Sequence, residues 1–214
     1  MTKNNNLTKK SLLIALEGID GAGKKTWSNM LKKHITKTNI SVKIFDYPDY
    51  KSPWGKIIKE YLYNKIELDT TEQFFTYFID ILKDQEQIKK YLSNGNIVIL
   101  NRYFSSTIAF QCTKGFPYHK ALRIIEAVEP IVPDIAFFLD VSPEIALERC
   151  LKRKNPDRHE RDLQLLKQVS QYYKKIIKDG ILAHKWIKID TNNDFKSMQV
   201  IMEDVINYIL KDFI

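Results

Sequence analysis

Residues 12–26 read LLIALEGIDGAGKKT, and this stretch decides the fold. It opens with the continuous apolar run Leu12–Leu16, which is typical of a strand buried on both faces. A glycine-rich turn follows, and after it apolar residues such as Trp27 and Leu31 recur on one face of a predicted helix. The pattern Gly-x-x-x-x-Gly-Lys between a strand and a helix predicts a phosphate-binding loop at 18–26.

The predicted loop has the chemistry that a phosphate chain requires. Its glycines let successive backbone N–H groups turn inward, and the N-terminus of the following helix adds partial positive charge. Lys24 is placed to reach the β- and γ-phosphates of a nucleotide. We therefore expect this loop to bind ATP through Gly18, Gly21, Ala22, Gly23, Lys24, Lys25 and Thr26.

One loop position departs from the usual pattern. The residue after the loop lysine is normally Ser or Thr, whose hydroxyl binds Mg²⁺, but here it is Lys25. Thr26 comes one residue later and faces about 100° round the helix. Two interpretations are open: Mg²⁺ is held by other groups and water, or the Lys25 ammonium supplies part of its charge.

Short apolar runs alternate with helical patterns along the rest of the chain. The further predicted strands are Val42–Tyr47, Ile97–Leu100, Ile135–Leu139 and Trp186–Ile189. The predicted helices include a long one at Thr70–Leu92, one at Pro143–Arg153 and a last one with Asp194 as its N-cap. This alternation predicts an α/β fold, a five-stranded parallel sheet with helices on both faces. We expect a disordered tail at 1–10, one domain at 11–214 and a mobile polar segment at about 150–162.

Composition excludes several classes of protein. The chain has 214 residues, 44% hydrophobic and 28% charged, which is unlike a disordered or fibrous chain. No apolar run approaches the roughly 18 residues of a transmembrane helix, so we expect no membrane association. Two cysteines exclude a disulfide scaffold and indicate a reducing compartment, the cytoplasm. The net charge of +8 suggests an anionic partner, although a solvated lysine-rich surface would also produce it.

The arginines are few and clustered. Of six, four lie between residues 149 and 161, and arginine binds phosphate bidentately where lysine cannot. Arg149 and Arg153 are one predicted helical turn apart, before a Pro-containing loop. This pattern indicates an arginine-rich lid over a phosphate chain, with a solvated charged helix as the alternative. Because the arginines gather there rather than along one face, nucleic-acid binding is disfavoured.

Asn101 and Arg102 directly follow the third predicted strand. Ligands of open parallel sheets bind at the carboxyl ends of the strands, so both residues are placed at the site. A salt bridge at the strand end is the structural alternative for Arg102.

Together these segments resemble the thymidylate kinase family, the P-loop kinases that phosphorylate dTMP with ATP. The resemblance covers nearly the whole chain and distinguishes this family from other kinases that share only the loop. It rests on Glu17–Asp20, Tyr47-Pro48, Asn101–Gln111, Asp140–Glu144 and Asp157–Glu160.

The resemblance implies a role for each matching position. Asp20 would accept a hydrogen bond from the 3′-hydroxyl of the acceptor, and Arg102 would bind its phosphate. Because Gly21 stands where some members carry arginine, the catalytic arginine would come from the lid, with Arg153 as the candidate. The implied catalytic residues are Lys24, Arg102, Arg153 and Asp20, and Arg149 would lie along the adenine. The implied acceptor-binding residues are Asp20, Tyr77, Arg102, Ser106, Phe110, Gln111, His159 and Glu160.

Four positions depart from the family pattern. Lys25 replaces the metal-binding hydroxyl, and Asn101 replaces an aspartate near the metal, so no residue is assigned as a direct metal ligand. Tyr50 and Ile81 stand near positions where members carry arginines that bind the acceptor phosphate and read the base.

We therefore expect a homodimeric cytoplasmic kinase that converts dTMP to dTDP with Mg²⁺ and ATP. Family resemblance places the dimer interface around the helix at 70–92. Two alternatives stay open: the same fold with another monophosphate acceptor, because Ile81 cannot hydrogen-bond to a base, and a nucleotide-binding paralogue with low activity, because of Lys25 and Asn101.

Overall fold

Five parallel strands form the sheet of the computed structural model, which describes residues 11–193 and 195–213. The strands are β1 Leu12–Glu17, β2 Val42–Asp46, β3 Ile97–Asn101, β4 Ile135–Asp140 and β5 Lys185–Asp190. Their order is β2-β3-β1-β4-β5, and each neighbouring pair is parallel. The predicted α/β fold with a five-stranded parallel sheet is confirmed. The expectations for residues 1–10 and Asp194 lie outside the described residues.

The central strands are buried on both faces. Every residue of β1 and β3 is buried, and successive side chains of a strand face opposite sides of a sheet. Helices must therefore cover both faces, as the continuous apolar run at Leu12–Leu16 predicts. The edge strand β5 is only partly buried, and its exposed Lys185 and Lys188 are typical of an edge that meets water.

Nine α-helices of the described residues pack around the sheet. They are α1 Lys24–Ile35, α2 Pro53–Leu62, α3 Thr70–Leu82, α4 Gln85–Ser93, α5 Phe104–Thr113, α6 Tyr118–Ala127, α7 Pro143–Leu151, α8 Leu163–Asp179 and α9 Phe195–Phe213. Helix α1 packs against α9, and α5 packs against α3, α6 and α8. None of the described helices is long and apolar enough to cross a membrane.

The long helix predicted at Thr70–Leu92 is wrong, because two helices, α3 and α4, occupy this stretch. The chain turns at Lys83 and Asp84, where the Asp84 carboxylate accepts hydrogen bonds from the Tyr47 hydroxyl (3.0 Å) and the Lys83 ammonium (2.7 Å). The Gln85 side-chain oxygen then accepts from the Tyr103 hydroxyl at 2.9 Å. These contacts with distant residues hold the break, and local periodicity does not reveal them.

The helix predicted at Pro143–Arg153 also ends early, at Leu151. The Arg153 N–H bonds to the Cys150 carbonyl in a tight turn, and its guanidinium pairs with Glu160. Arg149 and Arg153 therefore do not share one helical face. The lid expected at 150–162 begins where α7 ends.

Gly55 has no room for a side chain. A Cβ built there would lie 1.8 Å from the Asp49 carbonyl oxygen, so α2 packs directly on the turn before it. We expect Gly55→Ala to lower the free energy of unfolding by about 1–3 kcal/mol, the usual cost of overpacking. The midpoint of urea unfolding, with an unchanged slope, measures this loss.

Gly180→Ala is the matched control. A Cβ at Gly180 has nothing within 4 Å, so only its positive φ of 66° opposes the substitution, at about 1–2 kcal/mol. Equal unfolding midpoints for the parent protein and Gly55→Ala would contradict the packing argument.

Candidate functional site

In the loop between β1 and α1, the side chain of Lys24 hydrogen-bonds to the backbone of the loop itself. The Lys24 ammonium donates to the carbonyl oxygens of Gly18 (2.9 Å) and Ile19 (2.8 Å). Burial and the nearby Arg102 charge lower the pKa of Lys24 to about 7. A phosphate chain in the loop would supply the negative charge that this buried ammonium lacks.

Gly21 lies against the start of α7. A Cβ at this position would be 2.4 Å from the Ala146 carbonyl oxygen, and the φ of Gly21 is +81°. An arginine side chain at position 21 is therefore excluded by packing. An arginine that acts on the phosphates must come from elsewhere in the chain.

Arg102 lies at the junction between β3 and α5 in a left-handed conformation, with φ at +71°. Its guanidinium donates to the Asp20 carboxylate at 2.5 Å and to the Gly18 carbonyl at 3.0 Å, and it covers the Phe110 ring at 4.8 Å. Although burial raises the pKa of Asp20, the Arg102 and Lys24 charges lower it to about 2. Asp20 is thus an ionised acceptor beside a fixed cation.

The buried carboxylate of Glu17 lies beneath the site and joins the elements that form it. It accepts from the Tyr103 N–H (2.8 Å) and from the hydroxyls of Ser105 (2.5 Å), Ser106 (2.6 Å) and Tyr173 (2.9 Å). Burial raises the pKa of Glu17, against the hydrogen bonds from the serines. Sequence reasoning assigned no role to Tyr173, which is 156 residues away and lies within an ordinary amphipathic helix.

An aromatic cavity opens beside the Arg102–Asp20 pair. Among the residues expected to bind the acceptor, its lining includes Asp20, Tyr77, Arg102, Ser106, Phe110 and His159. The lining residues that sequence reasoning did not assign to acceptor binding are Tyr47, Pro48, Tyr50, Leu62, Asp80, Ile81, Thr107 and Asp157.

Two of the expected acceptor-binding residues are not in this lining. Gln111 is fully buried, and neither polar atom of its side chain has a hydrogen-bond partner among the described residues. Glu160 pairs with Arg153 and also accepts from the Asp157 N–H at 3.0 Å. Thr107 brings a hydroxyl to the cavity, and its position one residue after Ser106 was the signal that could have found it.

The arginines near 150–162 have separate partners. Arg158 binds the Glu67 carboxylate through both guanidinium nitrogens (2.5 and 3.0 Å), and Arg161 bonds to the Pro156 carbonyl at 2.9 Å. Arg149 donates to the carbonyls of Thr191 (2.8 Å) and Asn193 (3.0 Å), which follow β5. Arg153, half exposed, has a single charged partner in Glu160.

The residues near the loop fit a magnesium ion that arrives with its nucleotide, and do not form a carboxylate site for it. Lys25 is exposed. The Asn101 amide nitrogen donates to Asp46 (2.6 Å) and to the Ser28 hydroxyl (2.9 Å), while its buried oxygen has no described partner. Nowhere in 11–193 or 195–213 do three His, Cys, Asp or Glu side chains gather as a possible metal centre. Mg²⁺ readily keeps its waters and binds through phosphates, so a nucleotide would carry it to the loop without a cluster of protein carboxylates.

Comparisons with known proteins identify the family of this chain. A sequence model of the family described as "Thymidylate kinase" matches residues 16–200. A thymidylate kinase of Leptospira interrogans is 32% identical over 87% of this chain and 89% of its own, and one of Leptospira borgpetersenii is 31% identical over 96% of each chain. The solved thymidylate kinase of Candida albicans has a similar fold, with a TM-score of 0.73 and 24% identity over 95% of this chain and 92% of its own. This chain therefore belongs to the thymidylate kinase family of P-loop nucleoside monophosphate kinases.

Proposed function

We propose that this thymidylate kinase transfers the γ-phosphoryl group of ATP to dTMP in the space where Lys24 and Arg102 meet, next to the Gly18 carbonyl. One observation carries the proposal: the Lys24 ammonium and the Arg102 guanidinium both donate to this oxygen, at 2.9 and 3.0 Å. The lysine belongs to the phosphate loop and the arginine to the aromatic cavity. Their convergence makes the two nucleotide sites adjacent, as direct transfer between two phosphates requires.

The acceptor monophosphate occupies the aromatic cavity in this proposal. Arg102 binds its phosphate, and Asp20, held ionised, accepts from the sugar 3′-hydroxyl. Tyr77 and Phe110 supply aromatic surface for the base, and Ile81 supplies apolar contact. Ser106 lines the pocket, and Gln111 on the same helix has side-chain polar atoms without a partner among the described residues.

ATP occupies the loop at 18–26, with Mg²⁺ carried on its phosphates. When bound, Mg²⁺ would add cationic charge that offsets the negative charge of the phosphates. The chain itself contributes the Lys24 ammonium, the inward N–H groups of the loop and the N-terminus of α1. Arg149 binds the carbonyls after β5, so it shapes that loop as the wall of an adenine site.

Residues 11–214 form one domain in this proposal, and residues 150–162 act as its lid. Arg153 is the catalytic arginine of the lid. Its Glu160 partner also bonds to the Asp157 backbone, so Arg153 is oriented by the lid itself. On this proposal Arg153 exchanges Glu160 for the transferring phosphoryl group. Arg158 instead anchors the lid to Glu67 and has a structural role.

We also propose a cytoplasmic homodimer. The resemblance to the family supports an interface on the α3–α4 side of the molecule. Both cysteines of the chain, Cys112 and Cys150, are free and buried, in keeping with a reducing compartment.

The direct test is release of ADP from ATP with a panel of nucleoside monophosphates, with and without Mg²⁺. The 5-methyl group of thymine in an apolar pocket is worth about 1–3 kcal/mol, so we expect dTMP to be preferred over dUMP by about one to two orders of magnitude. Lys24→Ala should lower turnover by about two to three orders of magnitude, because it removes one clamp on transition-state charge.

Lys33→Ala, which changes an exposed lysine of the same helix, is the control and should retain turnover. Efficient use of dGMP or dAMP would contradict the cavity assignment. Inactivity with every monophosphate would favour a nucleotide-binding protein without catalysis.

The lid proposal predicts a kinetic signature for Arg153. If this arginine acts on the transition state, Arg153→Ala should lower kcat much more than it raises the KM for ATP. Arg161→Ala is the matched control, because Arg161 bonds to Pro156 within the same segment. A change in the KM for ATP alone would make Arg153 a ground-state contact.

The Asn101–Asp46 pair predicts a stability effect in metal-free protein. Asn101→Asp removes the donor to Asp46 and to Ser28 and brings two carboxylates together, so it should cost about 1–3 kcal/mol of unfolding free energy at pH 7. The loss should shrink near pH 4, because protonating one carboxylate removes the repulsion.

Urea unfolding at both pH values measures this effect. Adding Asp46→Asn to Asn101→Asp restores a carboxylate–amide pair with its charge exchanged, and should recover most of the lost stability. No recovery in the double variant would show that the two side chains are not coupled.

A further inference from the structure

Lys114, at the C-terminal end of α5, joins three separate elements through one ammonium group. Its Nζ bonds to the Tyr61 hydroxyl of α2 at 3.1 Å, to the Gln73 side-chain oxygen of α3 at 2.9 Å, and to Nε2 of His159 in the proposed lid. An ammonium has three N–H donors and no acceptor. The three partners therefore use its whole hydrogen-bonding capacity.

The direction of each bond is fixed by chemistry. The Gln73 amide nitrogen donates to the Leu68 carbonyl at 2.8 Å, so its oxygen must be the atom that faces Lys114. Because the ammonium can only donate, His159 must present a lone pair at Nε2. A neutral imidazole with its lone pair at Nε2 carries its proton at Nδ1.

His159 has two aromatic neighbours at the aromatic cavity. Its ring stacks on Phe110 with centroids 5.7 Å apart and meets the Tyr61 ring edge-on at 5.9 Å. His159 lines the cavity together with Asp20 and Arg102. With Nε2 directed to Lys114, Nδ1–H is the polar group that the ring can offer to a molecule in the cavity.

We infer that Lys114 is a positioning residue that holds His159 as a hydrogen-bond donor to an oxygen of the acceptor monophosphate. This inference rests on the proposed acceptor site. The ionised phosphate of a nucleotide presents acceptor oxygens, which a donor at Nδ1 recognises and a lone pair there would not. The same ammonium ties the lid segment around His159 to the helix that carries Ser106 and Phe110, so acceptor recognition and lid position are coupled.

The arrangement is sensitive to pH through the ammonium. Burial and the Arg158 charge lower the pKa of Lys114 to about 7, whereas burial and the Lys114 charge lower that of His159 to about 3. The carboxylates of Asp157, Asp162 and Asp20 raise the pKa of Lys114 and so oppose its lowering. Burial raises the pKa of Asp157 itself to about 6. The Arg102 charge adds to the lowering of the His159 pKa. As the pH rises above about 7, neutral Lys114 gains a lone pair and no longer dictates which ring nitrogen of His159 is protonated.

Nitrogen NMR of histidine-labelled protein tests the tautomer without any substrate. The parent enzyme at pH 6 should show His159 protonated at Nδ1 alone, and Lys114→Met should show a mixture of the two neutral tautomers. Lys120→Met, an exposed lysine on α6, is the control and should leave the His159 signals unchanged. Protonation at Nε2 in the parent enzyme, or an unaltered tautomer in Lys114→Met, would overturn the inference.

Kinetics tests the consequence for the acceptor. Lys114→Met should raise the KM for dTMP about tenfold, the equivalent of one hydrogen bond, with little change in the KM for ATP. Lys114→Arg, which keeps a donor-only group, should retain the parent tautomer and most of the affinity. A further test needs no substitution. In the parent enzyme the KM for dTMP should rise between pH 6 and pH 8.5, because neutral Lys114 no longer fixes the tautomer of His159.

The outcomes separate this inference from the proposed function. If the parent enzyme has the Nδ1 tautomer and Lys114→Met loses it, but the KM for dTMP is unchanged, the donor role of His159 is overturned. The kinase assignment stays intact in that case. A parent enzyme that never uses dTMP would overturn the proposed function, and the NMR result would still decide the tautomer.

Discussion

The site depends on one buried carboxylate, that of Glu17 at the end of β1. Its four donors come from the β3–α5 junction, from α5 and from α8, so a single side chain fixes three elements around the phosphate loop. Burying a carboxylate is costly unless hydrogen bonds replace its water. Here every donor around Glu17 is supplied by the fold, and removing the carboxylate would take away the acceptor of the Tyr103 N–H and of the Ser105 hydroxyl.

The same anchor accounts for the strained backbone of Arg102. A left-handed conformation at a non-glycine residue costs about 1–3 kcal/mol and persists only where neighbouring contacts determine it. The Arg102 N–H bonds to the Leu16 carbonyl, and the next N–H, of Tyr103, bonds to Glu17, so the backbone is held on both sides. This strain directs the guanidinium across the sheet edge toward Asp20 rather than along α5.

The sequence predicts what depends on neighbouring residues in the chain. The apolar run at Leu12–Leu16 and the glycine loop after it predicted a phosphate-binding loop, and the alternation of apolar runs with helical patterns predicted the parallel sheet. Contacts between distant residues were beyond its reach, such as Lys114 with His159 or Glu17 with Tyr173. The cluster of arginines was predicted, but the partners of the individual arginines were not. Arg158, for example, forms a salt bridge with Glu67, which lies 91 residues away in the chain.

The close packing of Gly21 on Ala146 has a mechanical consequence. It holds the first half of α7 against the phosphate loop, while the far end of α7 leads into the proposed lid. From Ala146 to the end of α7 at Leu151 the helix rises about 7.5 Å, so a tilt of about 20° around Ala146 would displace that end by about 2.6 Å. The packing of Gly21 on Ala146 thus connects the position of the proposed lid, through α7, with the conformation of the loop between β1 and α1.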